Sequence, residues 1–515
     1  MNTPPKGSRP ARLALAAVAA GLFCLPFAAA WEYQHYRQAV ERQATAATGG
    51  PGADGKEAAG LARRVSSRLP DRAAPVVLAY HDVRPGEGGR YTVTPARFDA
   101  QLTALRAAGY RTLSTAQFVR ALHGGAVPGR SVYLTFDDGA QGLWRYADPV
   151  LAKHGMRGAA YLITGNVRRR HGYYLSWDEV RRMARSGRWD FQDHTHRTHR
   201  RQAVDAAGRP GSALASRLWL PDLRRTETPA EYRRRVAADL DRSIAEFTAH
   251  GLPRPALFAY PFSESAGSRE LRAGGSSLEA LLRARFTASL TNVSSRPLPT
   301  GPRAAAAHQV ERLEVGARTT VADLMERLAD CTPVAPGADP APLKASARWR
   351  FPTNLPGAGV GVLTGRGPYP RPHRYVSGAF RPVGSADWTA YTVDASVRGL
   401  HGTHASIAVT TRYASLRPLT ASVSRGWLQV NEQRDGRVRT VAQHRLRAAS
   451  AHRLRITVSP TSTVVRVDGG DVFTLRLSGR PAGEVSGGIG AGLTNGGSGE
   501  WPSFAKLDVR AGDGG

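Results

Sequence analysis

The alternation of predicted strands and helices between Pro75 and about Thr332 constrains the fold of this chain most. Helix starts are marked by Ser176 and Thr228, each followed three residues later by Glu, which is the capping-box pattern. Short apolar runs between the helices predict strands at Val76–Tyr80, Ser131–Phe136, Gly158–Ile163, Trp189–Phe191 and Ala256–Phe262. Repeated strand–helix units predict an α/β fold, either a parallel sheet or a (β/α) barrel, with functional side chains at the carboxyl ends of its strands.

The C-terminal part of the chain follows a different pattern. Its alternating apolar and polar runs, separated by Gly, Ser and Asp, lie at Ala390–Val397, Ser406–Thr411, Gly426–Val430, Arg453–Val458, Thr463–Val467 and Phe473–Leu477. This pattern is typical of antiparallel sheets, so residues 343–515 are predicted to form an all-β sandwich. The Pro-, Gly- and Ala-rich residues 333–342 predict a linker between the sandwich and the first domain, residues 75–332.

The N-terminal segment indicates export. Basic residues precede an uncharged run, Leu13–Ala30, which is long enough to cross a bilayer. Residues 1–31 are predicted to be a signal or a membrane anchor, and small residues at the end of the run leave cleavage open. In both cases most of the chain lies outside the cytoplasm, at the extracellular face of the membrane or secreted. Residues 32–74 are predicted to be a flexible tether.

Net charge and cysteine content limit the function classes. The formal charge is +30, but the basic residues are spread evenly, so a dedicated nucleic-acid face is not expected. Two interpretations stay open, namely general solvation with a compositional bias and attraction to an anionic cell wall or membrane surface. Cys24 and Cys331 are the two cysteines, which excludes a disulfide framework and a cysteine-based zinc site.

The first chemical motif is Asp137-Asp138-Gly139, directly after the predicted strand that ends at Phe136. Adjacent carboxylates at a strand end point in different directions, so one can bind a cation while the other acts as a base. Asp-Asp-Gly is also ordinary turn chemistry. The motif alone therefore does not decide between a site and a turn.

The second motif is a histidine cluster, His194, His196 and His199, after the strand that begins at Trp189. Three histidines in six residues exceed chance in a chain with 15 in 515. One Asp and two His with an open position form a catalytic rather than a structural zinc site. Spacing alone does not decide which two bind, and a solvated polar loop is the alternative.

A third motif, Tyr260-Pro261, ends a strand and alone is equally compatible with packed core. In this order, the three motifs resemble the polysaccharide deacetylase family, carbohydrate esterases that share the NodB homology domain. The resemblance covers residues 75–332 and is closest to the poly-N-acetylglucosamine deacetylase branch, because four residues separate the outer histidines. It implies that a divalent metal, expected to be Zn²⁺, is held by Asp138, His194 and His199. It also implies that Asp137 is the general base and that the backbone N–H of Tyr260 binds the oxyanion.

The general acid needs a separate argument. Most of the family uses a histidine near the end of the domain, but the corresponding stretch, Val310–Val315, contains none. The poly-N-acetylglucosamine branch is circularly permuted, and its Tyr-His motif at the end of the first strand resembles Tyr80-His81. The resemblance therefore implies that His81 is the acid, although a histidine at a strand end can also be purely structural. The arginine that orients the base cannot be assigned from the sequence.

The expected function is an exported, metal-dependent de-N-acetylase that releases acetate from an N-acetylglucosamine-containing polymer. Its alternative is a non-catalytic cell-wall or glycan-binding protein that uses the barrel as a scaffold. A zinc hydrolase acting on another acylated substrate is a third interpretation. The expected partner is an N-acetylated polysaccharide, with no nucleic acid, and the chain is expected to be a monomer.

The sandwich loosely resembles concanavalin-like domains, which makes glycan binding one interpretation of it. Four tryptophans there are candidates for stacking on sugar rings, although tryptophans in sandwiches are more often core residues: Trp349, Trp388, Trp427 and Trp501.

Overall fold

The computed structural model of the protein describes residues 53–66, 73–86, 88–167, 172–264, 276–294, 296–351, 359–369, 375–434, 437–496 and 500–512. The predicted export segment, residues 1–31, lies outside the described residues. Within the described part of the chain, no helix combines the length and the apolar character needed to cross a membrane.

Four of the described helices begin at capping boxes. The predicted capping boxes at Ser176 and Thr228 are both present, and Ser114 and Thr320 form two more. The helices are α1 (Ala53–Ser66), α2 (Pro95–Ala107), α3 (Thr115–Leu122), α4 (Asp148–His154), α5 (Trp177–Arg185), α6 (Pro229–Ala249), α7 (Ser276–Arg283), α8 (Pro302–Ala307), α9 (Val321–Asp330) and α10 (Ala482–Val485).

The first helix corrects part of the predicted tether over residues 32–74. Helix α1 packs against α2 and α9, with Ala58 and Ala62 buried in the barrel's apolar core. The two alanines are four residues apart and share one helix face, and their small side chains let the helices approach closely. The prediction missed this helix because the fully buried residues on its inner face are alanines, with Val65 only partly buried against the same core.

Parallel strands form the sheet at the centre of the N-terminal half. The strands of this half are β1 (Val76–Tyr80), β2 (Asp82–Val83), β3 (Thr92–Val93), β4 (Arg111–Thr112), β5 (Ser131–Phe136), β6 (Gly158–Leu162), β7 (Trp189–Asp193), β8 (Arg201–Ala203), β9 (Pro210–Ser212), β10 (Trp219–Leu220), β11 (Arg225–Thr226), β12 (Leu257–Ala259), β13 (Ala288–Thr291), β14 (Val310–Glu311) and β15 (Leu313–Glu314). The main sheet runs β14-β13-β12-β7-β6-β5-β1-β15, and β4 adds to β5.

The two edges of this sheet belong to one short segment. Strand β14 pairs with β13 on one side, and β15 pairs with β1 on the other. A single residue, Arg312, separates β14 from β15. The sheet is therefore a nearly closed barrel, which confirms the predicted (β/α) fold.

The C-terminal half is built from two antiparallel sheets, as predicted. Its strands are β16 (Trp349–Arg350), β17 (Tyr375–Phe380), β18 (Tyr391–Arg398), β19 (Ala405–Tyr413), β20 (Leu419–Ser424), β21 (Trp427–Arg434), β22 (Arg437–Arg445), β23 (Ala451–Val458), β24 (Ser462–Val467), β25 (Gly470–Arg476), β26 (Gly488–Asn495) and β27 (Ser503–Ala511). One sheet runs β16-β17-β26-β19-β20-β21-β22 and the other β25-β24-β23-β18-β27. Their facing apolar side chains form one core.

The sandwich packs against the amino-terminal ends of the barrel strands. Ala386 and Ala414 of the sandwich half join a barrel cluster that includes Val77, at the start of β1. Buried Asp330, at the end of α9, pairs with Arg348. The segment predicted to be a linker makes contacts here too, since the Trp388 indole donates to the carbonyl of Val334 at 2.6 Å.

Candidate active site

The carboxyl ends of the barrel strands bring together side chains that are far apart in the sequence. His81 follows β1, Asp137 and Asp138 follow β5, and His194 follows β7. Arg312 lies where β14 and β15 meet. Because parallel strands end at one rim, these groups converge opposite the end that carries the sandwich.

Three potential metal ligands meet at this rim. The Nε2 atoms of His194 and His199 lie 3.5 and 3.4 Å from Oδ1 of Asp138. Ligand atoms of the three side chains all lie within 4.8 Å of one another. Asp138 has a φ angle of 69°, in the left-handed region that a non-glycine residue rarely adopts. This backbone conformation turns Asp138 away from the direction of its neighbour Asp137.

The hydrogen bonds of these ligands fit a cation between them. Nδ1 of His194 donates to the carbonyl of Ala259 at 2.8 Å, which leaves Nε2 with a free lone pair facing Asp138. Burial, reinforced by His194, lowers the pKa of His199 to about 4, so its ring is neutral at neutral pH. Burial also lowers the pKa of His194, but the carboxylates of Asp137 and Asp138 outweigh it and raise the pKa overall. The neutral ring of His199 keeps a lone pair for a cation, and the carboxylates beside His194 favour positive charge there. The residues therefore fit a divalent metal.

A carboxylate on helix α6 shapes the loop between the two histidines. Asp239 accepts hydrogen bonds from the backbone N–H groups of His196 and Arg197 and from the hydroxyl of Thr198. The distances are 3.0, 2.8 and 2.9 Å. Asp239 lies more than 35 residues beyond the loop, and sequence reasoning missed it. An acidic residue within a helix has many surface roles, so nothing in the pattern distinguished it.

The middle histidine of the cluster lies apart from the ligands. Nδ1 of His196 is 3.0 Å from the hydroxyl of Thr164, which in turn contacts the hydroxyl of Ser243. This polar chain links the loop to helix α6. The spacing alone had left the choice among the three histidines open, and the geometry selects the outer pair.

A buried ion pair lies beside the three ligands. Both carboxylate oxygens of Asp137 accept hydrogen bonds from the Arg312 guanidinium at 2.7 Å. Burial alone would raise the pKa of Asp137, but Arg312 outweighs burial, and the pKa falls well below its usual range. Asp137 is therefore a carboxylate at neutral pH.

The sequence could not assign the arginine that contacts the predicted base, and the structure places Arg312 there. Its Nε donates to the Asn292 side chain at 2.9 Å, and Asn292 donates in turn to Glu314 at 3.1 Å. Arg312 is only 2% exposed. The sequence carried little signal for this role, because Arg312 stands next to Glu311 in a short run and arginine is usually exposed.

His81 approaches the same carboxylate, Asp137, that Arg312 holds. Its Nε2 is 3.9 Å from Oδ2 of Asp137, and its ring packs on Tyr91 with a centroid distance of 4.4 Å. Nδ1 of His81 is buried and has no hydrogen-bond partner among the described residues. Nε2 of the ring therefore faces the site, and Nδ1 has no partner among the described residues.

The role expected for Tyr260 is corrected by the structure. Its backbone N–H donates to the carbonyl of Leu290 at 3.0 Å and thereby extends the ladder between β12 and β13. Its side chain is buried in an apolar cluster. An N–H that is used by the sheet is not available to an oxyanion, and this follows from the pairing of β13, which the motif did not reveal.

Exposed aromatic rings stand around the site, each with an arginine against it. They are Tyr91, Tyr173 and Phe262. The guanidinium carbons of Arg90, Arg84 and Arg201 lie 4.6, 5.9 and 4.5 Å from the respective ring centroids. Phe262 also contacts His199, at 4.7 Å between ring centroids. Aromatic faces beside a polar cleft are suited to stacking against sugar rings.

Comparison with known proteins agrees with this geometry. Residues 124–278 match the family described as Polysaccharide deacetylase. The chain contains a polysaccharide deacetylase domain. The match includes the Asp137-Asp138 motif, the histidine cluster and Tyr260.

Relatives of the deacetylase domain share part of their length with this chain. A poly-beta-1,6-N-acetyl-D-glucosamine N-deacetylase of Escherichia coli K12 is 27% identical over 208 residues, 37% of this chain and 31% of that protein. The enzyme of that name from Staphylococcus epidermidis is 33% identical over 112 residues, 21% of this chain and 39% of that protein. The chain thus spans about a third of the length of these relatives. A solved structure, IcaB from Ammonifex degensii, is 27% identical with a TM-score of 0.39, covering 50% of this chain and 96% of that one.

Proposed function

We propose that this chain is an exported, metal-dependent de-N-acetylase that hydrolyses acetamide groups of an N-acetylglucosamine polymer to free amine and acetate. The observation that carries the proposal is an ionised, buried Asp137 directly beside the cluster of Asp138, His194 and His199. The relatives described above are named as poly-N-acetylglucosamine deacetylases, and this chain is similar to them over part of their length.

The metal would be held by Asp138, His194 and His199, and we propose Zn²⁺ because two imidazoles and one carboxylate suit it. When bound, such an ion supplies Lewis acidity that polarises the acetamide carbonyl and acidifies water. The protein's part is to fix the ligands before substrate arrives. The Ala259 carbonyl orients the His194 ring, and Asp239 fixes the loop that carries His199.

Asp137 would accept a proton from the attacking water. Arg312 keeps Asp137 in the carboxylate form and holds both of its oxygens in one plane. Because the same guanidinium makes the carboxylate a weak base, the water must itself be acidified before Asp137 can take its proton. The arrangement is thus useful only next to a group that acidifies water.

His81 would donate a proton to the departing amine. In the balanced reaction, a water oxygen bonds to the acyl carbon, the carbon–nitrogen bond breaks, and the nitrogen takes up the proton from Nε2 of His81. Its position close to Asp137 puts the acid and the base within reach of one substrate group. The sugar amine leaves neutral with this proton, and it becomes cationic when it takes up a further proton, such as the one that the acetic acid product releases at neutral pH.

The substrate would lie against the exposed rings at the rim, Tyr91, Tyr173 and Phe262. The arginine against each ring is paired with a carboxylate, Arg84 with Asp82, Arg90 with Glu314 and Arg201 with Glu264. The rim therefore offers ring faces whose neighbouring charges are compensated, which suits an uncharged acetylated sugar.

Export is part of this proposal and rests on the sequence of residues 1–31, which lie outside the described residues. A chain that acts on an external polymer has to leave the cytoplasm. The net charge of +30 also favours contact with an anionic wall or membrane surface.

Acetate release from fully N-acetylated glucosamine oligomers tests the proposal. The zinc-loaded chain should release acetate, and both a chelator and Asp137→Asn should stop the release. Asp178→Asn, at an exposed carboxylate on helix α5, is the matched control and should behave like wild type. If the zinc-loaded wild type releases no acetate, the chain is not this enzyme, and the glycan-binding interpretation takes its place.

A further inference from the structure

The two outward faces of the sandwich differ in charge. The face of the five-stranded sheet is rich in ionised side chains, and ion pairs join Asp394 to Arg455 and Arg510, and Lys506 to Asp508. Register places Asp508, Asp394, Arg455 and Arg466 side by side across this face. In a chain of net charge +30, such a face needs no special explanation.

The opposite face, on the seven-stranded sheet, carries no acidic or basic side chain at the described outward positions of its five middle strands. We call it the neutral face and define it by Tyr375, Ser377, Ala379, Ser406, Ala408, Thr410, Thr420, Ser422, Ser424, Trp427, Gln429, Asn431, Gly490, Gly492 and Thr494. The alternate residues of the same strands fill the sandwich core. The two edge strands each place one charge beside it in register, Arg445 on β22 opposite Trp427 and Arg350 on β16 opposite Ala379.

Amide and hydroxyl groups dominate one half of the neutral face. Nε2 of Gln429 donates to Asn431 at 3.0 Å, and Gln443 on the edge strand donates to Oε1 of Gln429 at 3.2 Å. The hydroxyls of Thr410 and Thr420 lie 2.9 Å apart. These groups offer donors and acceptors without a formal charge.

Two half-exposed aromatic residues stand at either end of one row across the face. Trp427 is 52% exposed and Tyr375 is 53% exposed. Between them, register and one hydrogen bond align Ser424, Ser406 and Thr494. Four strand spacings of about 4.8 Å separate the two rings by about 19 Å, which accommodates several sugar rings.

Beside Tyr375, the neutral face has glycines in place of side chains. A Cβ added at Gly492 would lie 2.8 Å from the Tyr375 hydroxyl, so the ring occupies the space above a bare backbone. Gly490 follows on the same strand, and Ala408 is the partner of Gly492 on β19. A larger side chain at Gly492 would displace the ring from the surface of the sheet.

We propose that the neutral face binds the N-acetylated polysaccharide in its uncharged form. Hydroxyl and amide side chains match the hydroxyl and acetamide groups of such a chain, and aromatic rings match the faces of its sugars. A cationic polymer would find no carboxylate here. An anionic polymer would be drawn to the arginines on other surfaces.

The choice of polymer rests on the proposed function of the deacetylase domain. This preference would give the proposed deacetylation an order of events. The neutral face holds the acetylated polymer and releases the polymer once it has become cationic. A polymer held at the sandwich stays near the barrel, which raises the local substrate concentration.

Retention of the full-length chain on insoluble, fully N-acetylated glucosamine polymer tests the inference. All proteins are measured with a chelator present, so that the polymer is not altered and the buried pair of Arg312 and Asp137 stays intact. Ser422→Arg places a long cation at the centre of the neutral face, and Thr457→Arg does the same on the opposite, charged face. Ser422→Arg should weaken retention by about tenfold or more, as expected when a central contact is blocked, and Thr457→Arg by less than about twofold.

Two further measurements complete the test. Trp427→Ala removes an exposed ring and should also weaken retention. This variant provides a second test in case Ser422→Arg lowers the melting temperature of the protein. The same polymer after chemical de-N-acetylation should retain the unsubstituted chain at least about tenfold less. Equal retention by the Ser422→Arg and Thr457→Arg proteins, or equal retention on both polymers, overturns the inference. Retention is independent of acetate release, so a face that binds polymer in a chain without deacetylase activity separates the two proposals.

Discussion

Removing the charge of Arg312 should destabilise the barrel strongly, because it leaves a buried carboxylate without a partner. The pair between Arg312 and Asp137 has two 2.7 Å hydrogen bonds, and both side chains are almost fully buried. Breaking one side of such a pair costs about 3–5 kcal/mol in the free energy of unfolding. We therefore expect Arg312→Met to lose about 3–5 kcal/mol.

The double variant Arg312→Met/Asp137→Leu isolates the cause. It removes both charges and leaves apolar groups of similar size, so its loss should be much smaller than that of Arg312→Met. Urea unfolding of the full-length chain in the presence of chelator, followed by tryptophan fluorescence and circular dichroism, measures both values. Trp144 and Trp189 lie in the barrel core and report on this transition.

The reasoning has a clear point of failure. If Arg312→Met loses less than about 1 kcal/mol, the Asp137 carboxylate is not held by this guanidinium, because a buried unpaired charge cannot be so cheap. If single and double variants lose the same amount, the effect comes from packing around Arg312 and not from charge. Arg312→Lys, which keeps a charge but lacks the fork, should recover part of the stability.

Four further predictions follow from the geometry. Asp239→Asn should lower zinc affinity by about 10–100-fold in a competition assay with a chromophoric chelator, because the loop that carries His199 loses its anchor. His81→Ala should slow acetate release by about 10²-fold or more and leave the zinc content unchanged, since proton donation is lost and the ligands are not. Burial raises the pKa of Glu311 to about 8, so the protonated carboxyl stabilises the fold at low pH, and this contribution is lost as pH rises from about 4.5 to about 8. Between these pH values the urea midpoint of the wild type should therefore fall, and in Glu311→Gln it should fall less. An equal dependence of the midpoint on pH in both proteins would contradict this prediction. A fragment of residues 53–335, which keeps helix α1, should unfold at lower urea concentration than the barrel in the full chain, because Asp330 loses Arg348.

Local signals in the sequence predicted the fold well. The capping boxes at Ser176 and Thr228 start helices at the predicted residues, and the strands Val76–Tyr80 and Ser131–Phe136 have the predicted bounds. These elements depend on neighbours within a few residues, and the sequence displays such neighbours directly.

Long-range relations were not predictable in the same way. Arg312 and Asp137 are 175 residues apart, and their contact depends on how the barrel closes. The backbone N–H of Tyr260 is taken up by Leu290, a partner on a strand that the sequence analysis had not identified. The helix that begins at Ala53 was missed because its fully buried contacts are the small side chains of Ala58 and Ala62, which give only a weak apolar pattern beside Val65.

The segment Val310–Glu314 also has a consequence for biosynthesis. It joins both open edges of the barrel sheet and carries Arg312, yet it leaves the ribosome after every other strand of that sheet. Until it arrives, the nascent barrel has two unpaired strand edges and an Asp137 without a counter-ion. A chain cut short before this segment therefore keeps two open strand edges, which favours aggregation. The step that closes the barrel also completes the surroundings of Asp137, so a half-folded molecule lacks the ion pair on which the proposed reaction depends.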